Sequence, residues 1–132
     1  MNGLARKTLF PAALGSLLAL GAAAHAGQKS EAPVIVGSSS AQGALGSARN
    51  STDTRQWIGC NLASWGGGAP EGVCYAENSA GTFLTCYTVK ESHLKLIAAA
   101  GPDSHILFNV DSNGFCSNLE VKTSSIYPTK KP

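Results

Sequence analysis

Four cysteines, Cys60, Cys74, Cys86 and Cys116, are the residues of this 132-residue chain best equipped for chemistry. Such a set can hold a metal, shuttle electrons or close into disulfides, and spacing separates these uses. Structural zinc takes its ligands in close pairs, two to four residues apart. Here 13, 11 and 29 residues intervene, and no C-x-x-C occurs. Neither a metal site nor a cofactor is expected. An even cysteine count in a small exported domain instead reads as a disulfide framework.

Export itself is read from the first 26 residues. Arg6 and Lys7 form a positive start, Leu9 to Ala24 carries no charge, and Ala24-His25-Ala26 has the small-x-small form of a cleavage site. Residues 1–26 are thus read as a signal peptide, with Gly27 as the new terminus. The apolar run of about 16 residues is short for a membrane span, and no cysteine before Cys60 offers a lipid attachment point. The alanine-rich leader is of bacterial type, so the expected destination is the periplasm or the medium. Its removal leaves eight basic and eight acidic side chains. A neutral product has no excess of lysine and arginine with which to hold nucleic acid or an anionic membrane.

The cysteine pairing depends on local geometry. Loop entropy is worth roughly 7 kcal/mol in total for any of the three pairings and does not choose between them. Asn78-Ser79-Ala80-Gly81 fits a type I turn followed by a left-handed glycine, a three-residue hairpin loop. That register sets Cys74 opposite Cys86 and Ala76 opposite Leu84. Counted outward from the turn, Cys74 and Cys86 form a hydrogen-bonded pair, where β-carbons stand farther apart than a disulfide prefers. Cys60–Cys74 with Cys86–Cys116 is therefore preferred over the nested pairing, Cys74–Cys86 with Cys60–Cys116, which stays open.

Other chemistry is sparse. Asp103-Ser104-His105 holds the residue types of a hydrolase triad. In an extended segment, however, Asp103 and His105 point one way and Ser104 the other. His93 has no visible partner as a base. The acidic residues Glu31, Asp53, Glu71, Glu77, Glu91, Asp103, Asp111 and Glu120 are scattered. Asp111-x-Asn113-Gly114 is a turn rather than the twelve-residue ligand pattern of a calcium loop. The sequon Asn50-Ser51-Thr52 matters only in a eukaryotic secretory pathway. No catalytic residue is assigned and no enzyme is expected.

Binding signals are stronger. Trp65 precedes three glycines in the loop from Ser64 to Pro70. An aromatic presented on a loop suits a protein or glycan partner, unless it folds back over the sheet edge. Trp57, Tyr75 and Tyr87 alternate with Ile58, Cys74 and Cys86, which assigns them to the second face of a sheet. Uncovered, that face is an aromatic docking surface; covered by the N-terminal arm or a partner subunit, it is core.

The elements that must position these residues punctuate themselves. Residues 27–50, rich in Gly, Ser and Ala, read as a loose arm or a single edge strand. Residues 51–128 read as the disulfide-stabilised β domain. Gln56 to Leu62 is a half-buried strand, and Val73 to Glu77 with Thr82 to Thr88 is a hairpin. A helix of about ten residues begins near Glu91, carries Leu94, Ile97 and Ala98 on one face, and stops at Gly101-Pro102. A second hairpin pairs Ile106, Phe108 and Val110 with the segment after Gly114. A two-residue loop sets Phe108 opposite Leu119, a three-residue loop sets Val110 opposite Cys116, and a bulge near Gly114 would satisfy both. Residues 129–132 read as a frayed tail. The expected fold is mainly β: an antiparallel sheet of about five strands with one short helix packed on it, stapled by two disulfides.

Ala48-Arg49-Asn50-Ser51 followed by Gln56-x-Ile58-Gly59-Cys60 resembles a group of small exported proteobacterial four-cysteine proteins of unknown function. Cys74, Gly81, Cys86 and Gly114-x-Cys116 extend the likeness over residues 44 to 128. The resemblance implies a scaffold and carries no activity. The expectation is a secreted, non-catalytic binding or structural module with a protein or glycan partner. An inhibitor of an extracellular hydrolase, or less favourably a small secreted hydrolase or toxin, is the alternative.

Overall fold

The computed structural model describes residues 27–131. The signal-peptide assignment and Pro132 lie outside them. In chain order come β1 (Ile35–Val36), β2 (Ser40–Ala44), α1 (Leu45–Asn50), β3 (Trp57–Ala63), β4 (Glu71–Glu77), β5 (Phe83–Thr88), α2 (Glu91–Ala98), β6 (Ser104–Val110) and β7 (Cys116–Thr123). Every pairing between these strands is antiparallel. The mainly β, disulfide-stapled architecture expected from sequence is the one formed.

The strands divide between two sheets, ordered β1-β2-β6-β7 and β3-β4-β5. The division follows from the N-terminal arm, which is not loose. Its residues form β1, β2 and α1, and β2 lies between β1 and β6. Ser-Ala-Gln-Gly-Ala hides a central strand because it contributes proximity rather than bulk. Ala41 and Ala44 are fully buried, and small side chains let neighbouring backbones close in.

Gly46 shows the same economy on α1. A β-carbon there would stand 1.7 Å from the Pro128 carbonyl oxygen, so the C-terminal segment crosses the helix where no side chain fits. The tail is accordingly not frayed up to Lys131. The Asn50 side-chain amide donates to the Thr129 carbonyl at 2.9 Å, and its oxygen accepts the Lys131 N–H at 2.8 Å. The Ser30 N–H donates to the Ile126 carbonyl at 2.8 Å, closing the arm against the C-terminal segment.

Two hairpin turns repeat one design. Asn78 donates its N–H to the Thr82 carbonyl and accepts from Gly81; Asp111 does the same with Phe115 and Gly114. Each side-chain Oδ1 accepts two further backbone N–H groups, from Ala80 and Thr82 in one turn and from Asn113 and Phe115 in the other. Gly81 and Gly114 take φ of 86° and 84°, the left-handed position that closes such a loop. The first hairpin has the expected register, Cys74 opposite Cys86 and Ala76 opposite Leu84. The second satisfies both candidate registers at once. Val110 faces Cys116, Phe108 faces Leu119 and Ile106 faces Val121, with a register shift that leaves Ser117 as the extra residue.

Cysteine pairing follows from the central position of β4. A residue in a central strand aims its N–H and C=O at one neighbour and presents the closer, non-hydrogen-bonded pairing to the other. Cys74 faces Cys86 on one side and Cys60 on the other. The disulfides are Cys60–Cys74 and Cys86–Cys116. The first staples two adjacent strands; the second joins the sheets. Cys86 and Cys116 are buried beside Phe108, Ile106, Ala76 and Ile58 in one core. By loop entropy the two bonds contribute about 3 and about 3.7 kcal/mol.

Candidate functional site

The residues with catalytic character are turned to structural use. Ser104 is fully buried; its Oγ accepts the Gly101 N–H at 2.8 Å and lies 3.0 Å from Thr123 Oγ1. His105, on the opposite face of β6, stacks on Tyr127 with ring centroids 5.2 Å apart. Burial, assisted by the Lys122 charge and opposed by Glu120, holds the His105 imidazole below its ordinary pKa. Alternation along β6 thus separates Ser104 from His105, as expected.

His93 is buried on the inner side of α2. Thr88 Oγ1 accepts the Lys90 N–H at 3.2 Å and lies 3.0 Å from His93 Nδ1. Thr88 thus links the start of α2 to the His93 ring. Desolvation, then the nearby Lys90 charge, lowers the pKa of His93.

Asp53 is also structural. Its carboxylate accepts the N–H groups of Gln56 at 2.7 Å and Arg55 at 2.9 Å, and the Gln56 side-chain amide donates to it as well. The Gln56 oxygen accepts the Val34 N–H at 2.9 Å, which relays the loop to the arm. These bonds, those from Gln56 foremost, hold the Asp53 carboxyl far below the usual carboxylate range. Asp53 also lines a 460 Å³ hollow with Arg49, Trp57 and Lys130. Among the described residues, no three His, Cys, Asp or Glu side chains gather as a metal site.

Trp65 stands in a tight turn, where the Gly68 N–H donates to the Trp65 carbonyl at 3.0 Å and Ser64 Oγ to the Gly68 carbonyl at 2.6 Å. The side chain is 77% exposed and does not fold back over the sheet edge.

The larger feature is the outer face of β3–β5. Strand alternation sends Ile58, Cys60, Cys74, Ala76 and Cys86 inward and leaves Trp57, Tyr75, Phe83 and Tyr87 outside. Trp57 lies 4.6 Å from Tyr75 and 5.8 Å from Phe83 between ring centroids. Tyr75 lies over Gly59, where a β-carbon would meet its ring at 3.3 Å. Tyr87 meets Phe115, at the tip of the other sheet's hairpin, edge-on at 5.6 Å. Trp57, Phe83 and Phe115 are 41%, 50% and 45% exposed. The arm, built into the other sheet, leaves this face open.

Two of these rings have their polar ends satisfied within the face. Trp57 Nε1–H donates to Glu77 at 2.9 Å, and the Tyr75 hydroxyl to Asn61 at 2.8 Å. A hydrogen bond to Glu71 raises the Tyr87 pKa, with burial and the carboxylate charge adding to it. The rings are pre-oriented with π-faces and edges outward, an arrangement suited to contact and unsuited to bond-making. The alternation had marked Trp57, Tyr75 and Tyr87. Phe83 and Phe115 were missed, although Phe83 shares the period of Tyr87 and Phe115 follows the turn glycine. No family model, curated protein or solved structure matches this chain.

Proposed function

We propose that this chain is an exported, non-catalytic binding module whose contact surface is the outer face of β3–β5. The observation that carries the proposal is the uncovered aromatic face itself. Four rings from three adjacent strands, joined by Phe115, stay on the surface, with the Trp57 indole and the Tyr75 hydroxyl paired to Glu77 and Asn61. Exposing such rings opposes solubility unless they meet a partner. Support for export comes from the leader-like residues 1–26 and from two closed disulfides, bonds that persist in oxidising compartments. Among the described residues no helix is long and apolar enough to cross a membrane.

Inhibition of an extracellular hydrolase is a second reading. It is favoured by Trp65, a single exposed apolar tip on a hydrogen-bonded turn. Capture from the native extracellular fluid, run in parallel with the natural protein, Trp57→Ala and Trp65→Ala, tests both. Loss of the ligand with Trp57→Ala alone supports the sheet face. Loss with Trp65→Ala alone supports the turn and refutes the face.

A further inference from the structure

The last strand of its sheet, β7, has a free backbone edge whose polarity can be read from β6. The Val110 N–H donates to the Ser39 carbonyl at 2.8 Å, on the β2 side of β6. Counted back along β6, Phe108 and Ile106 also aim their backbone groups at β2, which leaves Leu107 and His105 to bond β7. Their partners there are Glu120 and Lys122. Leu119, Val121 and Thr123 therefore aim N–H and C=O away from β6, beyond the end of the order β1-β2-β6-β7. Among the described residues no backbone group of a turn or loop bonds to them.

The other strand edges are short or occupied. β1 has only two residues. On β5, the Tyr87 N–H donates to the Gly114 carbonyl of the opposite hairpin. Both α1 and α2 pack against β3. α2 also meets β7, but through the core, where Ile97 and Leu119 are buried in one cluster.

Charge then selects what the free edge can accept. Glu120 and Lys122 form a half-exposed ion pair of 2.9 Å on the side of β7 away from the core. A lysine on an edge strand ordinarily keeps a second strand away, yet the effect depends on what stands opposite. When two identical strands pair antiparallel, the residue on the two-fold axis sets the register. Glu120 or Lys122 on the axis brings like charges face to face, which is destabilising. Leu119 on the axis sets Glu120 against the partner's Asn118. Val121 on the axis sets each Glu120 against the partner's Lys122, in the closer, non-hydrogen-bonded pairing. The same register joins Val121 to its own counterpart, and Leu119 to the partner's Thr123, through the backbone groups left free by β6. We propose that two copies of this chain associate through β7, antiparallel about Val121, so that their sheets continue into one. The contact is isologous, each copy offering the same edge. It is separate from the aromatic face, which lies on the other sheet.

Sedimentation velocity of the natural protein from about 10 μM to about 1 mM tests this, a range suited to a small interface. A dimer should accumulate as concentration rises. Glu120→Lys and Lys122→Glu, each alone, should associate at least about tenfold more weakly, because both attractive pairs become repulsive. An equal mixture of the two variants restores Glu opposite Lys and should recover the dimer. Val121→Pro deletes an N–H that β6 does not use and should remain monomeric. Amide exchange in the natural protein should slow with concentration at Leu119, Val121 and Thr123. If Val121→Pro does not fold, the two charge variants and their mixture decide, since both side chains are on the surface. A natural protein that stays monomeric throughout overturns the proposal, as do single charge variants that dimerise like it or a mixture that stays monomeric. A dimer abolished by Trp57→Ala and kept by Val121→Pro uses the aromatic face and overturns the β7 contact.

Discussion

Cys60 and Cys74 stand directly opposite each other on β3 and β4, their α-carbons 4.0 Å apart. Cys86 faces the same Cys74 from β5 but bonds instead to Cys116 in the other sheet. Three cysteines therefore share one line across a sheet, and the hydrogen-bonding pattern of the central strand decides which two join.

The two bonds should differ in their worth. Cys60→Ala/Cys74→Ala removes a tie between strands already paired, and an unfolding free energy lower by about 3 kcal/mol is expected. Cys86→Ala/Cys116→Ala empties two fully buried sulfur sites where the sheets meet, against one at Cys74 in the other pair, and opens the longer loop, so a loss beyond about 4 kcal/mol is expected. Urea denaturation of both double variants checks the order. Equal losses would show that the second bond does not bridge the sheets as described.

Gly46→Ala should be among the most damaging single-methyl additions in the chain. The added carbon meets the Pro128 carbonyl, and the C-terminal segment must move. A loss of about 3 kcal/mol is expected, with faster amide exchange at Lys131. Asn50→Ala breaks only the two tail hydrogen bonds. It should lower stability by about 1 kcal/mol while exposing the Lys130 peptide bond to trypsin. Native-like exchange at Lys131 in both variants would contradict the crossing.

Stability should fall as the medium is acidified below pH 6.5. His93 and His105 are held below the ordinary value of 6.5 when folded, chiefly by desolvation. Above that value neither state is protonated and the full stability is present. As pH drops, the unfolded chain takes up protons that the folded chain resists, and the balance shifts toward unfolding until the folded values are reached. The urea midpoint should be lower at pH 5 than at pH 8, with a smaller difference in His93→Gln. A midpoint that rises on acidification would contradict the burial of these rings.

The two tryptophans should respond unequally to substitution. Trp65→Ala removes a side chain that is mostly in water and should change unfolding free energy by less than about 0.5 kcal/mol. Trp57→Ala breaks ring contacts with Tyr75 and Phe83, and about 1–2 kcal/mol is expected. Acrylamide should quench Trp65 more strongly. The reverse order in either measurement would place the aromatic face elsewhere.

What the sequence discloses is governed by how each element gains its stability. The β3–β5 meander, α2 and both hairpins were legible because period-two alternation and turn glycines announce them. Even the compromise register around Ser117 was accessible, since Leu119 and Cys116 both demand burial. The β2 strand and α1 were not. Gly43 and Gly46 are small because other backbones press on them, and Ala41 and Ala44 are fully buried, reasons that exist only in three dimensions. Without β2 the division into two sheets was hidden too. The aromatic face was half visible: alternation marked Trp57, Tyr75 and Tyr87, but whether the arm covered them depended on that same unseen strand.

The most direct measurement is non-reducing peptide mapping of the natural product, cleaved with trypsin and a glutamate-specific protease. Cuts after Arg55, Glu71, Glu77, Lys90 and Lys95 isolate each cysteine on its own fragment. The expected map joins Gln56–Glu71 to Gly72–Glu77, and Asn78–Lys90 to the fragment containing Cys116, with Gly27 at the N-terminus. Free thiols, a Gly72–Glu77 fragment joined to Asn78–Lys90, or a chain still starting at Met1 would contradict it.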